Sequence, residues 1–185
     1  MLIQPENINT AERRLRQLSL TEKERLIEQI FQAQPHLLAS VLVLKQFNVS
    51  PEKMEFAIHV LLLVYLSMLE SGGKWPQISE RVQDINLNRM TAEIKTAESA
   101  GPNAFDEAII TFAKDHPELP LYITVTEHTR GWLAAISAEE SDKYVLLCVL
   151  NIIECIAHPT PANKASPPRK GRGKNRKQRS RHTTH

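Results

Sequence analysis

Two stretches of this chain are apolar on nearly every side of a helix, and that single feature dictates most of what it can fold into. Residues 51–71 open with Ser50, Pro51 and Glu52 and close at Gly72-Gly73. Ser accepts from the first free amides, Pro at the first helical position lacks only a donor that would be unpaired anyway, and glycine adopts the left-handed stop. Between these signals Met54, Ile58, Leu61, Leu62, Tyr65, Met68 and Leu69 form one face, while Phe56, Val60, Leu63, Val64 and Leu66 fill much of the rest. The second stretch, about residues 138–157, holds Tyr144, Val145, Leu146, Leu147, Val149, Leu150, Ile152, Ile153 and Ile156, and Ser137 with Glu140 has capping-box spacing before it. Helices of this kind belong in the centre of a bundle. Their apolar runs, Phe56–Leu69 and Tyr144–Ala157, are interrupted by His59, Asn151 and Glu154 and are too short to span a bilayer.

The remaining segments read as amphipathic helices that cover those two. Thr10 caps a first short helix with Ala11, Leu15 and Leu18 on one stripe. A second starts near residue 20, from Ser19 with Glu22 or Thr21 with Glu24, and a third runs from about His36 to Phe47. From Pro76 the set Ile78, Val82 and Ile85 resumes as Leu87, Met90 and Ile94, a register shift that predicts a kink or break at Asn86–Asn88. Asn103 caps a helix with Phe105, Ala108, Ile109 and Phe112 that ends before Pro117. Residues 121–126 alternate like a strand, but no other segment could pair with them, so a helix over about 120–129 is expected, followed by a short apolar piece at Trp132, Leu133 and Ile136. The expected architecture is all-α: a single compact helical-bundle domain of about six to eight helices over residues 10–158, a flexible N-terminus over 1–9, and a disordered basic C-terminal tail over 159–185.

Charge divides the chain at the same place. Residues 1–163 carry 14 Lys and Arg against 21 Asp and Glu, a net of −7, whereas residues 164–185 carry nine cations and no acid. The tail has almost nothing to bury, so ordering it has no hydrophobic return. Arg169, Lys170, Arg172, Lys174, Arg176, Lys177, Arg179 and Arg181 place eight cations in 15 residues without an aromatic ring. Such a segment neutralises phosphates and releases counterions without reading bases, which points to DNA or RNA. The stretch Lys170-Gly171-Arg172-Gly173-Lys174 resembles an AT-hook, with Gly173 where that motif has proline. Rival uses of the tail are nuclear targeting, attraction to anionic lipid, and docking onto the acidic body.

Other chemistries find little support. Gly72, Gly73, Gly101 and Gly131 are the glycines of the body and build neither a P-loop nor a dinucleotide turn. Neither Glu-x-x-His, His-Glu-x-x-His nor Cys-x-x-Cys occurs, and no serine sits in a nucleophile elbow, so no metal, cofactor or hydrolytic centre is expected. Cys148 and Cys155, seven apart on one helix, are too distant for a disulfide and read as core residues. His59 reads as a core histidine, and His36 and His116 as helix-terminus residues. Two polar groupings remain. Glu127, His128, Arg130 and Trp132 form a candidate small-ligand patch, and Asn151, Glu154, Cys155 and His158 form one stripe of the last helix, with Glu154 and His158 at acid/base or metal-ligand spacing.

Met1–Asn9 has neither a basic start nor an apolar stretch, so no secretory signal is expected and the cytoplasm, or the nucleus of a eukaryote, is the expected location. Three functions follow as expectations. The first is a non-enzymatic binding module whose acidic body takes a protein partner or a second copy while the tail adds sequence-independent nucleic-acid affinity. The second is an adaptor whose tail serves only targeting or solubility. The third is a metal-dependent or acid/base enzyme using His158, Glu154 and His128.

Overall fold

The computed structural model describes residues 3–100 and 116–159, and within them the chain is all helical. The helices are α1 (Pro5–Gln17), α2 (Leu20–Ala33), α3 (Pro35–Leu42), α4 (Pro51–Glu70), α5 (Glu80–Ala100), α6 (Leu119–Ala135) and α7 (Asp142–Ala157), with a 3-10 turn at Val43–Phe47. The basic tail and the helix expected from Asn103 lie outside the described residues.

Helix α4 is the centre, as its all-round apolarity requires. Val60, Leu63, Val64, Leu66 and Ser67 are fully buried along its length, and α1, α2, α3, α6 and α7 all pack against it. The one polar residue among these, Ser67, returns its hydroxyl to the Leu63 carbonyl at 2.8 Å, so no donor is orphaned. Ser50 caps the start as read from the sequence, accepting from the Lys53 amide. The stop is at Gly72, whose φ of 65° is the left-handed conformation that glycine adopts without a Cβ penalty. Trp75 then folds back and donates its indole N–H to the Met68 carbonyl at 3.2 Å.

Helix α7 is the second buried helix, covered on Val145, Val149, Ile152, Ile153 and Ile156. It starts at Asp142 rather than near residue 138, and the Ser137/Glu140 capping box does not form. The Ser137 carbonyl and the Asp142 carboxylate instead both accept from Lys53 Nζ, at 3.2 and 2.5 Å. Asp142 also accepts from the Glu139 amide at 2.8 Å. This arrangement joins the N-terminal ends of the two core helices, where an anionic carboxylate opposes the positive ends of both dipoles. Burial would raise the Asp142 carboxyl, but its bonds from Lys53 and the Glu139 amide hold it below the usual carboxylate range.

Three other expectations are corrected. The first helix starts at Pro5, not after Thr10, and residues 3–9 are not a loose lead. Ile3 and Ile8 are buried, the latter extending the Ala11 and Leu15 stripe by one turn. The Ile3 amide bonds the Glu118 carboxylate at 2.7 Å, and Asn7 ties α1 to the Glu70 carbonyl at 3.0 Å. Helix α5 runs unbroken through Asn86–Asn88. The apparent register shift arises because Gln83 and Asn86 occupy its buried stripe between Val82 and Met90. The third helix is α-helical only to Leu42 and tightens into the 3-10 turn.

Helix α6 resolves the strand-like segment in favour of a helix, and it continues through Trp132 to Ala135 as one element. Its β-branched threonines are accommodated because Thr124 and Thr129 donate to the carbonyls four residues back, at 3.0 and 2.7 Å.

Candidate functional site

The densest grouping of ionisable side chains in the described body surrounds Glu154. This residue faces inward on the last turns of α7 and is 1% exposed. An unpaired carboxylate there would be costly, and two hydrogen-bonded partners prevent it, with a third group nearby. Oε1 accepts from His116 Nε2 at 3.0 Å. Oε2 accepts from the Arg89 guanidinium of α5, and His158 Nε2 stands 3.7 Å from that same oxygen.

His116 is itself oriented by the chain just before α6. The Glu118 amide donates to its Nδ1 at 3.2 Å, which leaves Nε2 as the nitrogen that carries the proton toward Glu154. Its ring rests on Tyr122 with centroids 4.8 Å apart. On α5, Asn86 closes the cluster by reaching the Glu154 carbonyl at 3.5 Å and Cys155 Sγ at 3.7 Å. Burial alone would raise the Glu154 carboxyl, but the His116 hydrogen bond and the nearby Arg89 charge hold it below its usual value. It is therefore a permanent anion at neutral pH.

This geometry decides what the stripe of α7 can do chemically. Asn151, Glu154 and Cys155 are buried against neighbouring helices, and His158 is the half-exposed cap. A buried carboxylate already bound by a guanidinium and an imidazole has its charge compensated within the fold, and the guanidinium repels a cation approaching Oε2. Among the described residues no group of three His, Cys, Asp or Glu is placed to hold a metal. Burial, with Arg89 and His116, pushes the His158 pKa below 6.5, Glu154 opposing. The ring is thus favoured neutral rather than as the cation that a helix C-terminus would attract.

The four residues of the candidate ligand patch all lie on α6 but do not converge. Glu127 and Arg130 pair with one another on the exposed side. His128 turns toward the body, where its Nε2 lies 2.9 Å from Glu12 Oε1 of α1 and its ring stacks on His59 of α4 at 5.5 Å. Trp132, one turn further, stacks on Phe56 of α4 at 4.6 Å and 5°. So His128 and Trp132 form one row and Glu127 and Arg130 another, and the first row is an inter-helix contact.

Sequence reasoning missed Arg89, Glu12 and Lys53, each of which looks like an ordinary surface charge until folding supplies its partner. The one available signal was the polar interruption at Asn86–Asn88, which marks where α5 meets Glu154. The cysteines behave as expected: both are buried free thiols, and burial raises Cys148 to about 12 and Cys155 to about 11.

A shallow open depression of about 960 Å³ lies between α2, α3 and α4, lined by Ile27, Phe31, Leu38 and Tyr65 with Arg25 and Glu28. Phe31 is 58% exposed there. Among the described residues no helix is long and apolar enough to cross a membrane. A scan against protein-family models matched none, and searches of curated proteins and of solved structures returned no significant match.

Proposed function

We propose that this protein is a non-enzymatic helical binding module in which the tail supplies sequence-independent affinity for nucleic acid and the body takes a protein partner or a second copy. The observation that carries the reading is the segregation of charge. Nine cations and no acid occupy residues 164–185, against a net of −7 for residues 1–163. An acidic body repels phosphate, so contact concentrates in Arg169, Lys170, Arg172, Lys174, Arg176, Lys177, Arg179 and Arg181. The engagement of Glu154 by Arg89 and His116 supports a structural rather than a catalytic use of the body's ionisable cluster.

The test is retention on mixed duplex DNA and structured RNA across a salt series, comparing the full chain with a full-length variant carrying Gln at those eight positions. Engagement of about half of the tail cations gives a log–log slope of about −4, and of all of them about −8. Retention by the parent that the variant loses supports the module, and equal retention by both overturns it.

The adaptor reading is favoured by one different observation, the depression at Phe31, Leu38 and Tyr65, whose apolar floor and exposed phenylalanine suit a side chain from a protein partner. Under that reading Phe31→Ser abolishes partner capture and neutralising the tail does not.

A further inference from the structure

Helix α6 is fastened to the body very unevenly. Its N-terminal half sinks Leu121 and Val125 fully into the core, yet no residue from Thr126 to Ala135 is buried. What holds this second half is a two-rung ladder. Phe56 and Trp132 make one rung, and His59 and His128 the other, their rings 5.5 Å apart and 19° from parallel. The bond between His128 Nε2 and Glu12 Oε1, at 2.9 Å, ties this half to α1 as well.

We propose that the stacked His59–His128 rung is a proton-operated catch that keeps the second half of α6 on α4 and lets it detach locally in acid. The charges that face the rung set how it opens. From α1, Glu12 faces it, with Arg16 3.9 Å from that carboxylate. Lys23 of α2 and His128 of α6 oppose a proton on His59, and Glu12 favours one. The His128 ring is already engaged by Glu12 on its Nε2 side, so its face is all that it offers to His59. A proton on His59 places a cation in this half-buried stack, where burial, His128 and Lys23 all oppose it. Burial comes first among these influences, so that proton arrives only below 6.5, and it weakens the stack when it does. Detachment of so weakly buried a half-helix is a local event that leaves the core standing.

Hydrogen exchange of the full chain, corrected for the intrinsic rate at each pH, reads this directly. Protection of residues 126–135 is expected to fall about tenfold or more between pH 7.5 and pH 5.0, while residues 119–125 and α4 change far less. His59→Phe keeps an aromatic rung without a titratable group, and His128→Gln keeps a donor to Glu12, so either variant flattens the pH dependence of 126–135. If either variant fails to fold, the other supplies the comparison. Protection of 126–135 that is independent of pH, that falls only together with the whole body, or that keeps its full pH dependence in the variants overturns the proposal.

Discussion

Glu154 Oε1 and His116 Nε2 meet at 3.0 Å across 38 residues of chain. The pair joins α7 to the residue that leads into α6, and Arg89 brings in α5 through the other carboxylate oxygen. Removing the carboxylate by Glu154→Ala strands two buried or half-buried donors at once. Its expected cost is about 3–5 kcal/mol, read from urea unfolding. Glu154→Gln keeps an acceptor for His116 and costs less. A loss below about 1 kcal/mol for the alanine variant would contradict the role assigned to this cluster.

Gly131 lies inside α6, and a Cβ built on it meets no atom within 4 Å. Its φ lies outside the left-handed region, so alanine fits without strain. Gly131→Ala is therefore expected to stabilise by about 0.5–1 kcal/mol through the lower entropy of the unfolded chain. Thermal unfolding checks the sign, and a destabilised variant would show that something packs closely there.

Gln34 is 3% exposed, and its amide clamps the segment before α5 to the junction of α2 and α3: Nε2 donates to the Pro76 carbonyl at 2.9 Å and Oε1 accepts from the Ile78 amide at 2.8 Å. Gln34→Ala leaves both backbone groups unsatisfied, at about 1–3 kcal/mol. Denaturant unfolding of the variant measures this, and a cost near zero would mean that water replaces the bridge.

Stability should also fall in mild acid. His59 and His158 both have pKa values pushed below 6.5, chiefly by burial. The unfolded chain therefore takes up more protons between 6.5 and the folded values, so the stability these rings contribute is present above 6.5 and is lost as pH falls through the folded values. The urea midpoint is expected to be lower at pH 5.5 than at pH 7.5, and His158→Gln to reduce the difference. An equal or higher midpoint at pH 5.5 would refute it.

With burial raising their pKa values to about 12 and about 11, Cys148 and Cys155 hold almost no thiolate at pH 8. An aromatic disulfide reagent should leave both unlabelled in the native chain and titrate both in guanidinium. Rapid labelling without denaturant would show that α7 opens readily.

The helices that stay apolar all round were the most legible, because nothing but a central position suits them. Near residue 20 the sequence offered two capping boxes, Ser19 with Glu22 and Thr21 with Glu24, and the structure forms the first as a full reciprocal cap. Buried polar residues were the opposite case. Gln34, Asn86, Lys53 and Glu154 have surface-like identities, and what makes each tolerable inside is a partner 38 to 89 residues away. Local periodicity carries no information about such pairs. The same blindness produced the false break at Asn86 and the late start at Thr10, since Asn86 and Asn7 each hold a place in a contact rather than in a hydrophobic pattern. The ligand patch was read as running off the end of a helix at about residue 129, whereas one helix carries all four residues, and only the fold separates the row that touches α4 from the row that touches water.

The chain leaves the described body at Pro159, directly after the last turn of α7. Any pull on the segment beyond it therefore enters the body along a helix that is sheathed for most of its length. Glu154, one turn back, is braced sideways by α5 through Arg89 and by the lead into α6 through His116. Tension on this anchor loads those contacts in shear and together, instead of unzipping a surface helix turn by turn. The point where the chain leaves the described body is thus braced from two sides rather than one.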